Sequence, residues 1–104
     1  MTITTDRIIE EVSEVFNCDV AVMKSPMRSV RVSLAKYAAI FLIRKYNFGL
    51  SLGEVASIFC YKKASSVSRA NNAAWNSYTT DSDFKSKVLI VERKLISIRL
   101  EAGI

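Results

Sequence analysis

The sequence predicts a small all-α domain of about five helices. Apolar residues recur at helical spacing along almost the whole chain, the 104 residues include only one proline and three glycines, and three segments open with helix start signals. A chain of this length is enough for one domain and too short for two. We therefore expect residues 1–104 to form a single domain.

Two helices and a connector are predicted in the first half of the chain. Residues 4–6 form a helix start signal, and the apolar stripe that follows them ends near Asn17. An irregular connector then leads to about Arg28. The second helix is predicted at roughly residues 29–46. Its outer face is expected to carry four basic side chains, Arg31, Lys36, Arg44 and Lys45.

A pair of helices with a tight turn is predicted next. Ser51 and Glu54 have the spacing of a capping box, in which the serine oxygen accepts a hydrogen bond from the glutamate amide. This box opens a short third helix that ends near Phe59. Residues 60–62 form the turn, and the fourth helix runs over about residues 63–77. Its predicted buried residues are Val67, Ala70, Asn71 and Ala74.

The last predicted helix has two apolar faces. Thr80 with Asp81 and Asp83 provides its start signal, since acidic residues suit the positive end of the helix dipole. One apolar stripe comprises Phe84, Val88, Val91, Leu95 and Ile98, and the second face comprises Leu89, Ile90, Ile96 and Leu100. We expect the first helix to cover the second face; the alternative is a homodimer surface.

The charge distribution indicates a polyanionic partner. The formal net charge is +5, and residues 27–79 carry eight basic side chains with Glu54 as their single acid. Such a block is most often directed at nucleic acid; the alternative is that the excess basic residues serve solubility alone. Four aromatic residues offer a different route to nucleic acid, by stacking on unpaired bases, but we expect them in the core: Tyr46, Tyr61, Trp75 and Tyr78.

Several classes of function are disfavoured. The chain has no histidine, and Cys18 and Cys60 are far apart and belong to no ligand cluster, so we expect two buried free thiols and no metal site. No acid–base pair or activated nucleophile is visible, and neither an enzyme, a cofactor nor a small-molecule substrate is expected. The longest apolar run is only Tyr37–Ile43, so we expect a cytoplasmic protein without a membrane span.

The third and fourth helices have the pattern of a helix-turn-helix over residues 51–78. The second helix of such a pair enters the major groove, where short side chains let its first turn approach the bases and cations hold the phosphates. Helical spacing places four such residues on one side, opposite the predicted buried face: Lys62, Ser65, Ser66 and Arg69. An ordinary solvated helix surface is the alternative.

These segments resemble a known family. S-L-G-E-V-A-S-I-F at residues 51–59, followed by K-K-A-S-S-V at 62–67 and Ala70, is similar to the signature of the C-terminal DNA-binding domain of bacterial DnaA replication initiators, S-L-P-E-I-G-x-x-F-G-G-R-D-H-T-T-V-x-x-A. Upstream, A-K-Y-A-A-I-F-L-I-R at residues 35–44 resembles the family's A-R-Q-I-A-M-Y-L-A-R. The resemblance covers roughly residues 8–95.

The resemblance implies a Trp-repressor-like helix-turn-helix whose recognition helix enters the major groove. It implies that Arg28 is the loop arginine of the minor groove, that Lys36 replaces the arginine of A-R-Q and that Lys62 replaces the arginine of G-G-R-D-H-T-T. Ser65 and Ser66 match the threonine pair, which touches phosphate and a thymine methyl group. The predicted DNA-binding residues are therefore Arg28, Arg31, Lys36, Lys62, Lys63, Ala64, Ser65, Ser66 and Arg69.

Two departures from the family pattern imply an altered target. Lys63 and Ala64 replace the aspartate and histidine that read bases, and a lysine cannot accept a hydrogen bond from cytosine. The glycines form no phosphate-binding loop, so we expect a stand-alone module, bacterial or phage, associated with the nucleoid in replication or transcription control. The alternative is a protein-interaction module that lost DNA readout and uses its last helix to dimerise or to bind a partner.

Overall fold

The chain folds into six helices. A computed structural model describes residues 4–25, 29–46 and 50–103, with side chains as far as residue 97, and these ranges contain no strand. The helices are α1 (Thr5–Phe16), α2 (Val20–Met23), α3 (Val30–Tyr46), α4 (Leu52–Ile58), α5 (Ala64–Thr80) and α6 (Ser82–Gly103). The prediction of an all-α helix-turn-helix fold is confirmed. The additional helix is α2, within the predicted connector.

Local capping explains where the first two helices begin and end. The Thr4 hydroxyl accepts a hydrogen bond from the Arg7 amide at 3.2 Å, and Asn17 closes α1 in the left-handed conformation, with φ of 52°. The Asp19 carboxylate accepts a hydrogen bond from the Ala21 amide at 3.1 Å, and this cap begins α2. A helix of four residues is too short for apolar periodicity to reveal it, so the connector was predicted as irregular.

The core is built around α3. This helix packs against α1, α2, α5 and α6. Three alanines, at positions 35, 38 and 39, are fully buried and let these neighbours approach closely, while Ile40, Leu42 and Ile43 fill the space between them. The apolar interior is therefore continuous across α1, α3, α5 and α6.

One basic residue of α3 lies inside the domain, so the prediction of an outer position for Lys36 is wrong. Its side chain is only 2 % exposed. The Lys36 Nζ donates a hydrogen bond to the Ser25 carbonyl oxygen at 2.6 Å and lies 5.6 Å from the centre of the Tyr61 ring. A backbone carbonyl and an aromatic face compensate for the lost hydration of the ammonium group.

Two buried carboxylates connect α6 to the rest of the domain. Glu92 accepts hydrogen bonds from the Lys45 Nζ at 2.8 Å and from the Tyr46 hydroxyl at 2.7 Å, which joins α6 to α3. Glu11 of α1 lies 3.1 Å from the Arg7 guanidinium and 3.7 Å from the Lys94 Nζ, which joins α1 to α6. Lys45 is therefore engaged within the domain.

The two apolar faces of α6 have different surroundings. Phe84, Val88, Val91 and Leu95 are buried, and α1 packs against this helix. Leu89, Ile90 and Ile96 are 37–44 % exposed, so the expectation that α1 covers the second face is wrong. Instead, α1 contacts the first stripe, where the Phe16 and Phe84 ring centroids are 5.8 Å apart. The side chains of Ile98 and Leu100 lie outside the described residues.

Two further predictions of burial are corrected. Cys18 is buried, and this burial raises the pKa of its thiol, but Cys60 is exposed because the α4–α5 turn lies at the surface. Trp75 is 55 % exposed, whereas Tyr46, Tyr61 and Tyr78 are partly buried against the core as predicted. Over the ranges given above, no helix is long and apolar enough to cross a membrane, and no group of ligand side chains suits a metal ion.

The turn between α4 and α5 is a Schellman motif without glycine. The Tyr61 amide donates a hydrogen bond to the Ala56 carbonyl oxygen at 2.9 Å, and Cys60 adopts the left-handed conformation, with φ of 58°. The Cys60 Sγ lies 2.8 Å from the Lys24 carbonyl oxygen. A non-glycine residue in this conformation costs about 1–2 kcal/mol of backbone energy.

Glycine at position 60 should relieve this backbone strain. We expect Cys60→Gly to be about 1 kcal/mol more stable towards urea unfolding than Cys60→Ala, because both variants lose the thiol and only glycine tolerates the positive φ. Equal free energies of unfolding for the two variants would show that the turn is not strained.

Candidate nucleic-acid interface

The helix-turn-helix is formed by α4 and α5. The Ser51 hydroxyl caps α4 by accepting the Glu54 amide at 3.1 Å, as the capping box predicts, and it donates a hydrogen bond to the Glu54 carboxylate at 3.2 Å. The two helices pack through buried side chains, Val55, Ala56 and Phe59 on one side of the turn and Val67, Ala70 and Ala74 on the other. This packing fixes the direction in which α5 leaves the turn.

The turn and the first half of α5 present six polar or small residues, which we call the tip. Five of them are exposed and Ser66 is half-buried: Lys62, Lys63, Ala64, Ser65, Ser66 and Arg69. Val67, Ala70 and Ala74 face the core on the other side of the helix. Helical spacing predicts this division of α5 into an exposed side and a buried side.

The tip is positively charged and its cations are not neutralised within the domain. Lys62, Lys63 and Arg69 form no ion pair with any carboxylate in the described ranges. The first turn of α5 contains no acidic residue, and Lys63 at its N-cap makes no side-chain capping hydrogen bond. The positive end of the helix dipole therefore adds to the charge of the side chains.

The acidic residues nearest to α5 in sequence stand at its opposite end. Asp81 and Asp83 begin α6, where the Asp81 carboxylate accepts the Asp83 amide at 3.0 Å. A helix of 17 residues separates them from the tip by about 25 Å along its axis. At this distance, their charges are screened from the tip at physiological salt.

The remaining predicted residues are not part of the tip. Arg31 is exposed at the start of α3, and its guanidinium donates a hydrogen bond to the Asn17 carbonyl oxygen. Lys36 lies buried beneath the turn, against Tyr61. Arg28 lies outside the described residues.

One cation near the tip was not predicted. Lys24 closes α2 with an exposed side chain, and its carbonyl oxygen is the group that contacts Cys60 in the turn. No local pattern indicated this neighbour, because the contact joins residues 36 positions apart. The short helix α2 therefore brings a basic residue close to the turn.

The tip has the chemistry needed for contact with a nucleic acid duplex. Small side chains at Ala64 and Ser65 let the helix backbone approach the floor of a groove, and the neighbouring cations suit the phosphates on either side. Phosphate contacts orient such a helix, whereas contacts to base edges select the sequence.

Comparison with known proteins agrees with this geometry. Residues 5–73 match the family described as bacterial DnaA protein helix-turn-helix, which covers most of the chain and includes α1 through the first half of α5. A comparison with curated proteins gives no match. The chain therefore belongs to the bacterial DnaA helix-turn-helix family and contains a DNA-binding domain of that type.

Proposed function

We propose that residues 1–104 form one non-enzymatic domain that binds double-stranded DNA by inserting the start of α5 into the major groove. The observation that supports this proposal is the exposed tip, whose three cations have no carboxylate partner in the described ranges. Phosphates can therefore bind these three cations without first breaking a salt bridge to a carboxylate of the described ranges.

Each tip residue has a proposed role. Lys62 and Arg69 bind phosphates on the two sides of the groove. Ser66 is half-buried, and its hydroxyl donates a hydrogen bond to the DNA phosphate backbone rather than to a base. Ala64 and Ser65 approach the base edges, where their small side chains suit contact with a thymine methyl group. Lys36 is not included among the DNA contacts, because its ammonium group is buried and bonded to Ser25.

The proposed target differs from that of the family's initiators. Lys63 replaces a base-reading aspartate and Ala64 replaces a histidine, so hydrogen-bond acceptance from cytosine is lost and one cation is added. We propose a role in the control of replication or transcription in the cytoplasm, at the nucleoid. Arg28 in the minor groove and Arg31 on an adjacent phosphate complete the proposed interface.

Salt dependence tests the tip directly. We expect the affinity for duplex DNA to fall with salt at a log–log slope of roughly −3 to −5, and the double variant Lys62→Ala/Arg69→Ala to flatten that slope by about one to two units. Fluorescence anisotropy of a labelled duplex at several salt concentrations measures both quantities.

A matched control removes the same number of charges elsewhere. Lys87→Ala/Arg93→Ala lowers the net charge equally but changes α6, so the slope should stay within about half a unit of the wild-type value. If the two double variants change the slope equally, binding depends on net charge alone and the proposed interface is wrong.

Arg28 tests the minor-groove contact. We expect Arg28→Ala to weaken binding more on duplexes with A·T-rich flanks than on those with G·C-rich flanks, because the narrow A·T minor groove has the more negative potential. Competition between the two duplexes for each variant measures the preference. An equal loss on both flanks would place Arg28 outside the minor groove.

Restoring the family's base-reading residues tests the altered target. We expect Lys63→Asp/Ala64→His to increase the preference for the DnaA box over unrelated sequence by about tenfold, since each correct base contact contributes about 1–3 kcal/mol of discrimination. Lys63→Ala/Ala64→Leu is the control that changes both positions without introducing a side-chain hydrogen-bond acceptor. A box preference that is the same in both variants would mean that these positions do not read bases.

A second candidate function is a protein-interaction module that dimerises or binds a partner through α6. The exposed side chains of Leu89, Ile90 and Ile96 favour it. The two functions differ in their dependence on charge: duplex binding that is undetectable at low ionic strength, or insensitive to salt, would support the interaction module.

A further inference from the structure

Three aromatic side chains of α3 and α5 form one cluster of stacked rings. The ring centroids of Phe41, Trp75 and Tyr78 are 6.1, 5.5 and 6.0 Å apart, and the ring planes are within 24° of parallel. Nearly parallel rings with centroids at these distances are offset-stacked, so each ring lies partly over its neighbours. We call this cluster of three stacked rings the platform.

The platform is accessible to a ligand. Trp75 is 55 % exposed although it is the largest apolar side chain of the chain, and the platform lines a surface cleft of about 470 Å³. Ligand-binding clefts in proteins have volumes of about 300–1,000 Å³. The other lining residues are Arg44, Lys45 and Asn71.

The charges around the platform select the kind of ligand. The cleft lining contains two cations and no acid. Lys45 is paired with Glu92. Within the described ranges, the Arg44 guanidinium donates a hydrogen bond to the Leu50 carbonyl oxygen at 3.3 Å and has no carboxylate partner. A third cation, Lys85, has its Nζ 5.6 Å from the centre of the Tyr78 ring. Aromatic faces bordered by cations suit an unpaired base with its phosphate.

We propose that this platform binds single-stranded nucleic acid by stacking an unpaired base on Trp75, with Arg44 near the phosphate. The site is separate from the tip: Trp75 lies ten residues beyond Ser65, about 15 Å along α5 and roughly 80° around it. The proposal goes beyond duplex binding and does not depend on it. A strand that leaves a duplex held by the tip meets a second binding site on the same helix.

The emission of Trp75 reports directly on the platform, because it is the only tryptophan in the chain. We expect octathymidylate, which forms no duplex, to quench this emission saturably at physiological salt. An octamer of abasic sites carries the same phosphates without bases and should bind at least tenfold more weakly. This comparison needs no variant, so it does not depend on the folding of a mutant.

Substitutions then assign the stacking to one residue. Trp75→Ala should weaken the anisotropy-measured affinity for labelled octathymidylate by about 5- to 100-fold, the loss expected for one stacked base. Ile96→Ala, which removes a similarly exposed apolar side chain from α6, should leave it unchanged. Lys62→Ala/Arg69→Ala should reduce duplex binding and retain the quenching, which separates failure of the platform from failure of the tip.

Three results would overturn the proposal. The first is equal affinity for the thymidylate and abasic octamers, since phosphates alone would then account for binding. The second is an unchanged affinity in Trp75→Ala. The third is a change of Trp75 emission on dilution of the protein alone, because the platform would then be covered by a second copy of the chain.

Discussion

The buried ammonium group of Lys36 connects the parts of the domain that hold the helix-turn-helix in place. It extends from α3, donates to the Ser25 carbonyl oxygen beyond α2, and lies against Tyr61 in the turn. Burying a charge without partners costs several kcal/mol, so the group fixes the positions of the carbonyl and the ring that compensate it. The contact between Cys60 and the Lys24 carbonyl oxygen reinforces the same junction. The orientation of α5 therefore depends on the connector as well as on α4.

The helix ends and the sidedness of α5 could be predicted because they depend on neighbouring residues. The caps at Thr4 and Ser51 are local hydrogen bonds, and the exposed side of α5 follows from its periodicity. The family resemblance supplied what local patterns cannot, namely that α4 and α5 form one functional unit. That prediction agrees with the match over residues 5–73.

The errors of prediction have a common physical cause, which is contact between distant parts of the chain. Lys36 is buried because a carbonyl 11 residues earlier accepts a hydrogen bond from its ammonium group. Cys60 is exposed in a turn that contacts the Lys24 carbonyl oxygen, 36 residues away. Trp75 is predicted in the core, but it is Ala70 and Ala74 of α5 that are buried, and Trp75 stacks on the partly buried Phe41 of α3 at the surface. Helical spacing tells which residues share a side, and the packing of other helices decides whether that side is covered.

The missing cap of α5 has a consequence for its behaviour in solution. A good N-cap side chain stabilises a helix by about 0.5–2 kcal/mol, and Lys63 provides none, whereas Ser51 caps α4. The opening turn of α5 is therefore the less stable of the two and frays more readily in the free protein. An anion bound at this end accepts hydrogen bonds from the backbone amides of the first turn, as a capping side chain would. Binding of a DNA phosphate there and ordering of the first turn of α5 therefore favour each other.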